Sequence, residues 1–312
     1  MKVKLRNWMW FQDNFELTEK HLHGFTEYLV SKTTDFQRIE ILKSPFYGKM
    51  LIIDGDVQSS EKDEYIYHES LVHPSLIIHP NPEKVLIIGG GEGATLREVL
   101  KHKTVKEVFM VDIDEKMINF AKEYLSEWHK GSFFSDKVKL IIKDAREFIK
   151  DIQDETFDVI IEDVTEPFEG SSSCLLYTKE FLYDLYKKLK VDGVFSIQAS
   201  MLRCVTYEMH RKIFWTLKEI FENVFSYYSY VPSFDTTWSY ILSSNKFNPK
   251  EFSKEEIEKR INERVEGELK FYDGETHIKL FLLPKDIREI LKIKVEPIEI
   301  NKPFVLPKKD SL

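Results

Sequence analysis

The chain has 312 residues, 42% hydrophobic and 31% charged, with a formal net charge of −8. That balance is soluble and globular, and no apolar run approaches the ~18 residues of a membrane span. The acidic charge, without a basic stripe, argues against nucleic-acid binding and favours a cationic ligand, while two cysteines make neither a disulfide framework nor a metal cluster.

The N-terminus is polar and aromatic, with no signal-peptide core, so the cytosol is the expected compartment. Alternating runs at 24–30 and 36–42, a Ser44-Pro45 and Tyr47-Gly48 turn, a run at 50–53 and an Asp54-Gly55 turn predict a small antiparallel β meander. The period then changes. Asp63–His73 is helical, opens with two acids and is expected to stop before Pro74.

From Lys84 to about 245, strand and helix alternate. Strands are expected at 85–88, 108–112, 138–142, 158–162 and 194–198, with helices near 94–102, 115–127, 145–151, 178–189 and 207–222. This predicts an α/β fold with a mostly parallel, doubly wound sheet, whose ligands bind outside the carboxyl ends of its strands. Residues 254–264 read as a charged helix, and the tail beyond 292 carries no signal.

The stretch Lys84–Asp114 carries the chemistry. A buried strand leads into Gly89, Gly90, Gly91 and Gly93, then a helix, then a second strand ending in Asp112, 19 residues beyond Gly93. Glycines let a backbone approach a ligand, a helix N-terminus offers free N–H groups, and a carboxylate can accept two ribose hydroxyls. The pattern reads as a nucleoside site and does not separate a dinucleotide from an S-adenosyl compound. A ligand-free strand–helix turn is the bland alternative.

Four acids follow successive strands: Glu92, Asp112, Asp144 and Asp163. Around Asp163 the run DVIIEDVTEP adds Glu162 and Glu166, with no lysine or arginine inside it. Buried acids need a cation, donors or raised pKa values, unless they are solvated loop residues. Glu92 inside the glycine turn would repel the carboxylate of S-adenosylmethionine and attract an ammonium in its place. This disfavours a methyltransferase and suits the decarboxylated compound.

The motifs GGGEGATLREVLKH, DGDVQSSEKDEYIYHESLVH, DVIIEDVTEPFEG and LYTKEF together resemble the aminopropyltransferases, the spermidine and spermine synthase family, from roughly Trp8 to Leu291. GGGEG, EPFEGSSSCLLYTKEF and VPSFDTTW look closer to thermospermine synthases. The resemblance implies an N-terminal β domain (1–75), a Rossmann-like, methyltransferase-type catalytic domain (76–291) and a tail (292–312), assembled as homodimers or homotetramers. It also implies transfer of the aminopropyl group of decarboxylated S-adenosylmethionine to a polyamine, releasing 5′-methylthioadenosine, with no metal and no cofactor.

Carried over, Gln37 and Asp112 would hold the ribose region, Asp144 with Ala145 the adenine, and Gly89 and Gly91 the turn beneath the donor. Gln58, Tyr67, His68 and Trp238 would line the acceptor cleft, and Glu92 would meet the donor ammonium. Asp163 would be the catalytic base, and Glu166 would bind the acceptor's far nitrogens. Glu166 stands where spermidine synthases carry a second Asp, and their TYPSG-like tyrosine has no counterpart in Val231–Asp235. A longer acceptor than putrescine is therefore expected, with a putrescine-using spermidine synthase or a catalytically dead partner subunit as alternatives.

Overall fold

In the computed structural model, residues 8–13 and 19–307 are described. The polar, aromatic N-terminal reading and the tail expectation lie partly outside them, at 1–7, 14–18 and 308–312.

The N-terminal segment forms the expected antiparallel meander, preceded by a second, two-stranded antiparallel sheet. Strands β1 (Met9–Asp13) and β2 (His21–Phe25) pair with each other. Strands β3 (Glu27–Thr33), β4 (Arg38–Ser44), β5 (Gly48–Ile53) and β6 (Asp56–Ser60) make a four-stranded sheet in chain order. The run expected at 24–30 is thus split at Thr26, whose amide turns to the Lys43 carbonyl at 2.9 Å. Alternation alone cannot show that successive residues join different partners.

Helix α1 (Glu64–Ile78) runs through Pro74 instead of stopping before it. Proline removes the amide that would bond the Ser70 carbonyl and crowds that turn. Here the Tyr227 hydroxyl takes the Ser70 carbonyl at 3.1 Å and Ser196 Oγ takes the Leu71 carbonyl at 2.9 Å. Leu71, Val72, Leu76, Ile77 and Ile78 are fully buried, so packing outweighs the local penalty. The expected domain boundary at 75 falls inside this helix.

The central sheet has seven strands: β7 (Lys84–Gly89), β8 (Glu107–Asp112), β9 (Val138–Ile142), β10 (Phe157–Asp163), β11 (Leu189–Met201), β12 (Asn223–Val231) and β13 (Thr236–Ser244). Their order is β12-β13-β11-β10-β7-β8-β9. The run from β11 to β9 is parallel, and β13 is antiparallel to both its neighbours. Helices α2 (Ala94–Leu100) and α3 (Glu115–Tyr124) join α1 over one face. Helices α5 (Ala145–Lys150), α6 (Lys179–Lys188) and α7 (Glu208–Lys218) cover the other. A short α4 (Ser126–His129) ends what was expected as one helix to 127. Helices α8 (Lys254–Arg264), α9 (Gly274–Leu280) and α10 (Lys285–Lys292) close the fold.

The chain leaves β7 toward β8 on one side, and β10 lies on the other. This reversal opens a crevice at the carboxyl ends of β7 and β10, where ligands of such sheets bind. The four-stranded sheet packs beside it: Ile39, Ile41 and Leu51 share the core of α1. No described helix is long and apolar enough to cross a membrane.

Candidate active site

The turn after β7 is built for close approach. Gly89 has φ +79°, and a side chain there would collide with the Asp163 carbonyl oxygen. That oxygen instead receives the Gly90 amide at 2.8 Å, clamping the turn to the end of β10. Gly93, also at positive φ, caps α2.

The Asp163 side chain points into the crevice. Its Oδ1 accepts the Tyr67 hydroxyl from α1 at 2.7 Å, and its Oδ2 accepts the Thr95 hydroxyl from α2 at 2.5 Å. Burial, then repulsion from Glu92, raises its pKa to about 6, against the pull of His68, Thr95 and Tyr67. Glu162 projects from the opposite face of the strand. It is fully buried, its carboxyl has no hydrogen-bond partner among the described residues, and burial pushes its pKa well above the usual carboxylate range.

Glu92 accepts from His68 Nε2 at 2.7 Å, and the other ring nitrogen faces the Glu64 carboxylate at 2.8 Å. Burial would strip a proton from this imidazole, but Glu64 and Glu92 outweigh it and lift its pKa to about 10. His68 is therefore cationic at neutral pH, the partner that the acid cluster lacked in the sequence. His68, Glu92 and Asp163 present ligand atoms within 4.8 Å of one another. A metal ion needs a neutral imidazole lone pair, whereas an organic ammonium needs only the two carboxylates.

One cleft of roughly 1330 Å³, counting its open mouth, collects the expected residues. Gln37, Gln58, Tyr67, His68, Gly89, Gly91, Glu92, Asp112, Asp144, Ala145, Asp163, Glu166 and Trp238 all line it. On one side Asp112 is pushed up to about 7 by burial and by Asp114, Glu92 and Asp163, against the Asp114 amide bond. Asp144 caps α5 and pairs with Arg146 at 2.6 Å, which holds its carboxyl below the usual range despite burial. Gln37 sits in a turn just before β4, and its side-chain amide donates to Asp114 at 3.1 Å.

On the other side Tyr67, Phe234 and Trp238 form an aromatic wall, with Phe234 and Trp238 centroids 5.1 Å apart. Glu166 accepts from the Ser200 hydroxyl. Ser200 has φ +62°, strained backbone for a non-glycine residue. Lys143 lines the cleft too, but its ammonium pairs with Asp151 at 2.7 Å.

Sequence reasoning missed Thr95, Asp114, Gln198 and Ser200. Gln198 lines the cleft, donates to the Val164 carbonyl at 2.8 Å and lies near the carboxyl end of a parallel strand, so the rule that located Asp163 would have found it. Thr95 and Asp114 act through contacts distant in sequence, which no local pattern encodes. The tail beyond 292 is also not idle: Leu306 exchanges backbone hydrogen bonds with Pro167 and Glu169, at 2.8 and 2.9 Å.

Comparison with known proteins agrees with this geometry. A family profile described as spermine/spermidine synthase domain matches residues 64–254, and one described as spermidine synthase tetramerisation domain matches 9–61. The polyamine aminopropyltransferase of Sulfurisphaera tokodaii is 46% identical over 300 residues, covering 96% of this chain and 99% of its own. That of Saccharolobus solfataricus is 43% identical, covering 95% and 99%. A spermidine synthase solved in complex with the transition state analogue AdoDATO superposes with a TM-score of 0.86 at 31% identity, over 94% of this chain and 98% of that one. The spermidine synthase from Thermotoga maritima gives 0.84 at 31% identity, over 94% and 97%.

Proposed function

The chain belongs to the spermine/spermidine synthase family and is an enzyme, a polyamine aminopropyltransferase, and on that premise we propose that it transfers the aminopropyl group of decarboxylated S-adenosylmethionine to a polyamine amine, with spermidine the favoured acceptor and thermospermine or spermine the product. The observation that carries this reading is the pair Glu92 and Asp163, two acids on one cleft beside a nucleoside-type glycine turn.

In this reading Asp112 accepts the ribose hydroxyls, with Gln37 orienting Asp114 behind it. Asp144 and Ala145 meet the adenine, Gly89 and Gly91 let the donor lie close, and Glu92 takes its ammonium. The acceptor lies along Gln58, Tyr67 and Trp238, with Glu166 at its far nitrogens. Aromatic faces favour cationic amines. Decarboxylated S-adenosylmethionine is a co-substrate, and the reading assigns no metal or prosthetic group.

The acceptor nitrogen attacks the methylene carbon beside the sulfonium in line. A C–N bond forms, the C–S bond breaks with its electron pair on sulfur, and neutral methylthioadenosine leaves. An alkyl ammonium with a lysine-like pKa of ~10.4 costs about 4.6 kcal/mol to deprotonate at pH 7. Asp163 takes that proton and passes it to solvent. In the free enzyme this carboxyl is raised to about 6, so Asp163 starts as a stronger base than an ordinary carboxylate.

A spermidine synthase using putrescine is the second reading, favoured by the names of the two solved neighbours. Chromatography of products from mixed polyamines, with kcat/KM for each acceptor, separates the two. A higher kcat/KM for putrescine than for spermidine or spermine would overturn the longer-acceptor reading. Assembly into homodimers or homotetramers through the N-terminal strands belongs to the same proposal, as does residence in the cytoplasm.

A further inference from the structure

From Glu92 and His68 on the cleft wall, a buried chain of charges runs back between α1 and α2 through Glu64, Arg97 and Glu98, which do not line the cleft. Glu64 Oε2 accepts from His68 Nδ1 at 2.8 Å and from Arg97 Nη2 at 2.8 Å. Arg97 Nε donates to Glu98 Oε1 at 2.7 Å, and Glu98 Oε2 meets Lys101 Nζ at 2.7 Å and His73 Nε2 at 3.0 Å. The sign alternates from Glu92 through His68, Glu64, Arg97 and Glu98 to Lys101. Glu64, His68, Arg97 and Glu98 are all more than nine-tenths buried. Such a line is tolerated only when every member keeps its partners.

Its cleft end is the point of chemical interest. A neutral His68 could present a lone pair to Glu92 and push the carboxylate away; a doubly protonated ring can only donate. The Glu64 backbone carbonyl, at 2.7 Å, shares Nδ1–H with the Glu64 carboxylate, at 2.8 Å; together they hold the ring plane, and the carboxylate charge stabilises the donating form. The other charged or titratable groups facing His68 are Tyr67 on the same helix, Glu92 on the glycine turn, Arg97 from α2 across Glu64, and Asp163 from β10.

We propose that Glu64 is a positioning residue for aminopropyl transfer: its carboxylate orients the His68 ring, whose Nε2–H in turn fixes Glu92 where the donor ammonium binds. This rests on the aminopropyl-transfer reading above. Glu64 touches neither substrate, and against burial its carboxyl is held below the usual range by His68 first and then by Arg97, which completes the arrangement.

The test combines one spectroscopic and one kinetic readout. In the wild-type protein, 15N spectra of the histidines, with His68 assigned by loss of its signals in His68→Gln, should show His68 doubly protonated at pH 8. A neutral ring at that pH overturns the proposal whether or not any Glu64 variant folds. In Glu64→Gln the ring should lose its proton at lower pH, and KM for decarboxylated S-adenosylmethionine should rise about tenfold or more. The dissociation constant for 5′-methylthioadenosine, which has no ammonium, should stay within about twofold, a change of about 0.4 kcal/mol. Adding Glu64→Gln to His68→Gln should cost nothing further. Fully additive losses, or equal weakening of both ligands, would show a general structural role and overturn it. Failure of the wild type to prefer decarboxylated S-adenosylmethionine over its carboxylated form is a separate result, which would remove the donor reading itself.

Discussion

The amide of Leu306 donates to the carbonyl of Pro167 at 2.8 Å, and the Leu306 carbonyl receives the Glu169 amide at 2.9 Å. These two bonds tie the chain beyond α10 to the segment that brings Glu166, Ser171, Ser172, Ser173 and Leu176 to the cleft. Further along, Ile298 receives the Lys179 amide at 2.7 Å, and Ile300 donates to Glu180 at 3.0 Å. The loop is therefore held from outside the sheet. Deleting residues 301–312 should leave the fold cooperative, increase amide exchange over 166–176, and raise KM for the polyamine about tenfold, a cost of about 1.4 kcal/mol. Unchanged exchange over that loop would show that the tail does not restrain it.

Asp163→Asn keeps the volume and can still pair with Tyr67 and Thr95, but it cannot take a proton. Its kcat should fall by roughly 10²–10⁴, the usual worth of a positioned general base. Binding of methylthioadenosine should change little, since that ligand brings no cation. Single-turnover kinetics isolate the chemical step, and a near-wild-type rate there would remove Asp163 from the reaction.

Much of this architecture is legible in the chain because single stretches carry it. The β-branched runs at 85–88 and 158–162 read as buried strands, and four acids that follow successive strands point to one crevice. Glu92 within the glycine turn is equally local. What the sequence hides depends on meetings between distant residues. Pro74 looks like a stop until Tyr227 arrives from β12 to take the buried carbonyl that the proline leaves without its amide. His68 looks like any helical histidine until Glu64 and Glu92 bracket it. The tail lacks periodicity because its order comes from pairing with 167–169, not from a face of its own.

That rescue of α1 by Tyr227 is measurable. Tyr227→Phe removes the hydroxyl at 3.1 Å from the Ser70 carbonyl and leaves a buried acceptor unpaired. The loss should be about 1–3 kcal/mol, read from the midpoint of chemical denaturation at constant m-value. Activity per folded molecule should persist, because Tyr67 and His68 lie on the turns before the proline. An unchanged midpoint would mean that packing alone carries the helix through Pro74.

The acids of the cleft also set a pH dependence whose sign is fixed. Asp163 and Asp112, at about 6 and about 7, are raised by burial and by neighbouring acids. In the free enzyme their contribution to stability is fully present below the ordinary carboxylate range and is lost as pH rises through 6 and 7. A cationic ligand favours the ionised carboxylates and returns their pKa values downward. Decarboxylated S-adenosylmethionine should therefore bind more tightly at pH 8 than at pH 5, and near pH 6.5 its binding should release about one proton. Methylthioadenosine, lacking both sulfonium and ammonium, should release fewer. Calorimetry in two buffers of different ionisation enthalpy measures that count. Equal release for the two ligands would place the titrating acids away from the transferred group.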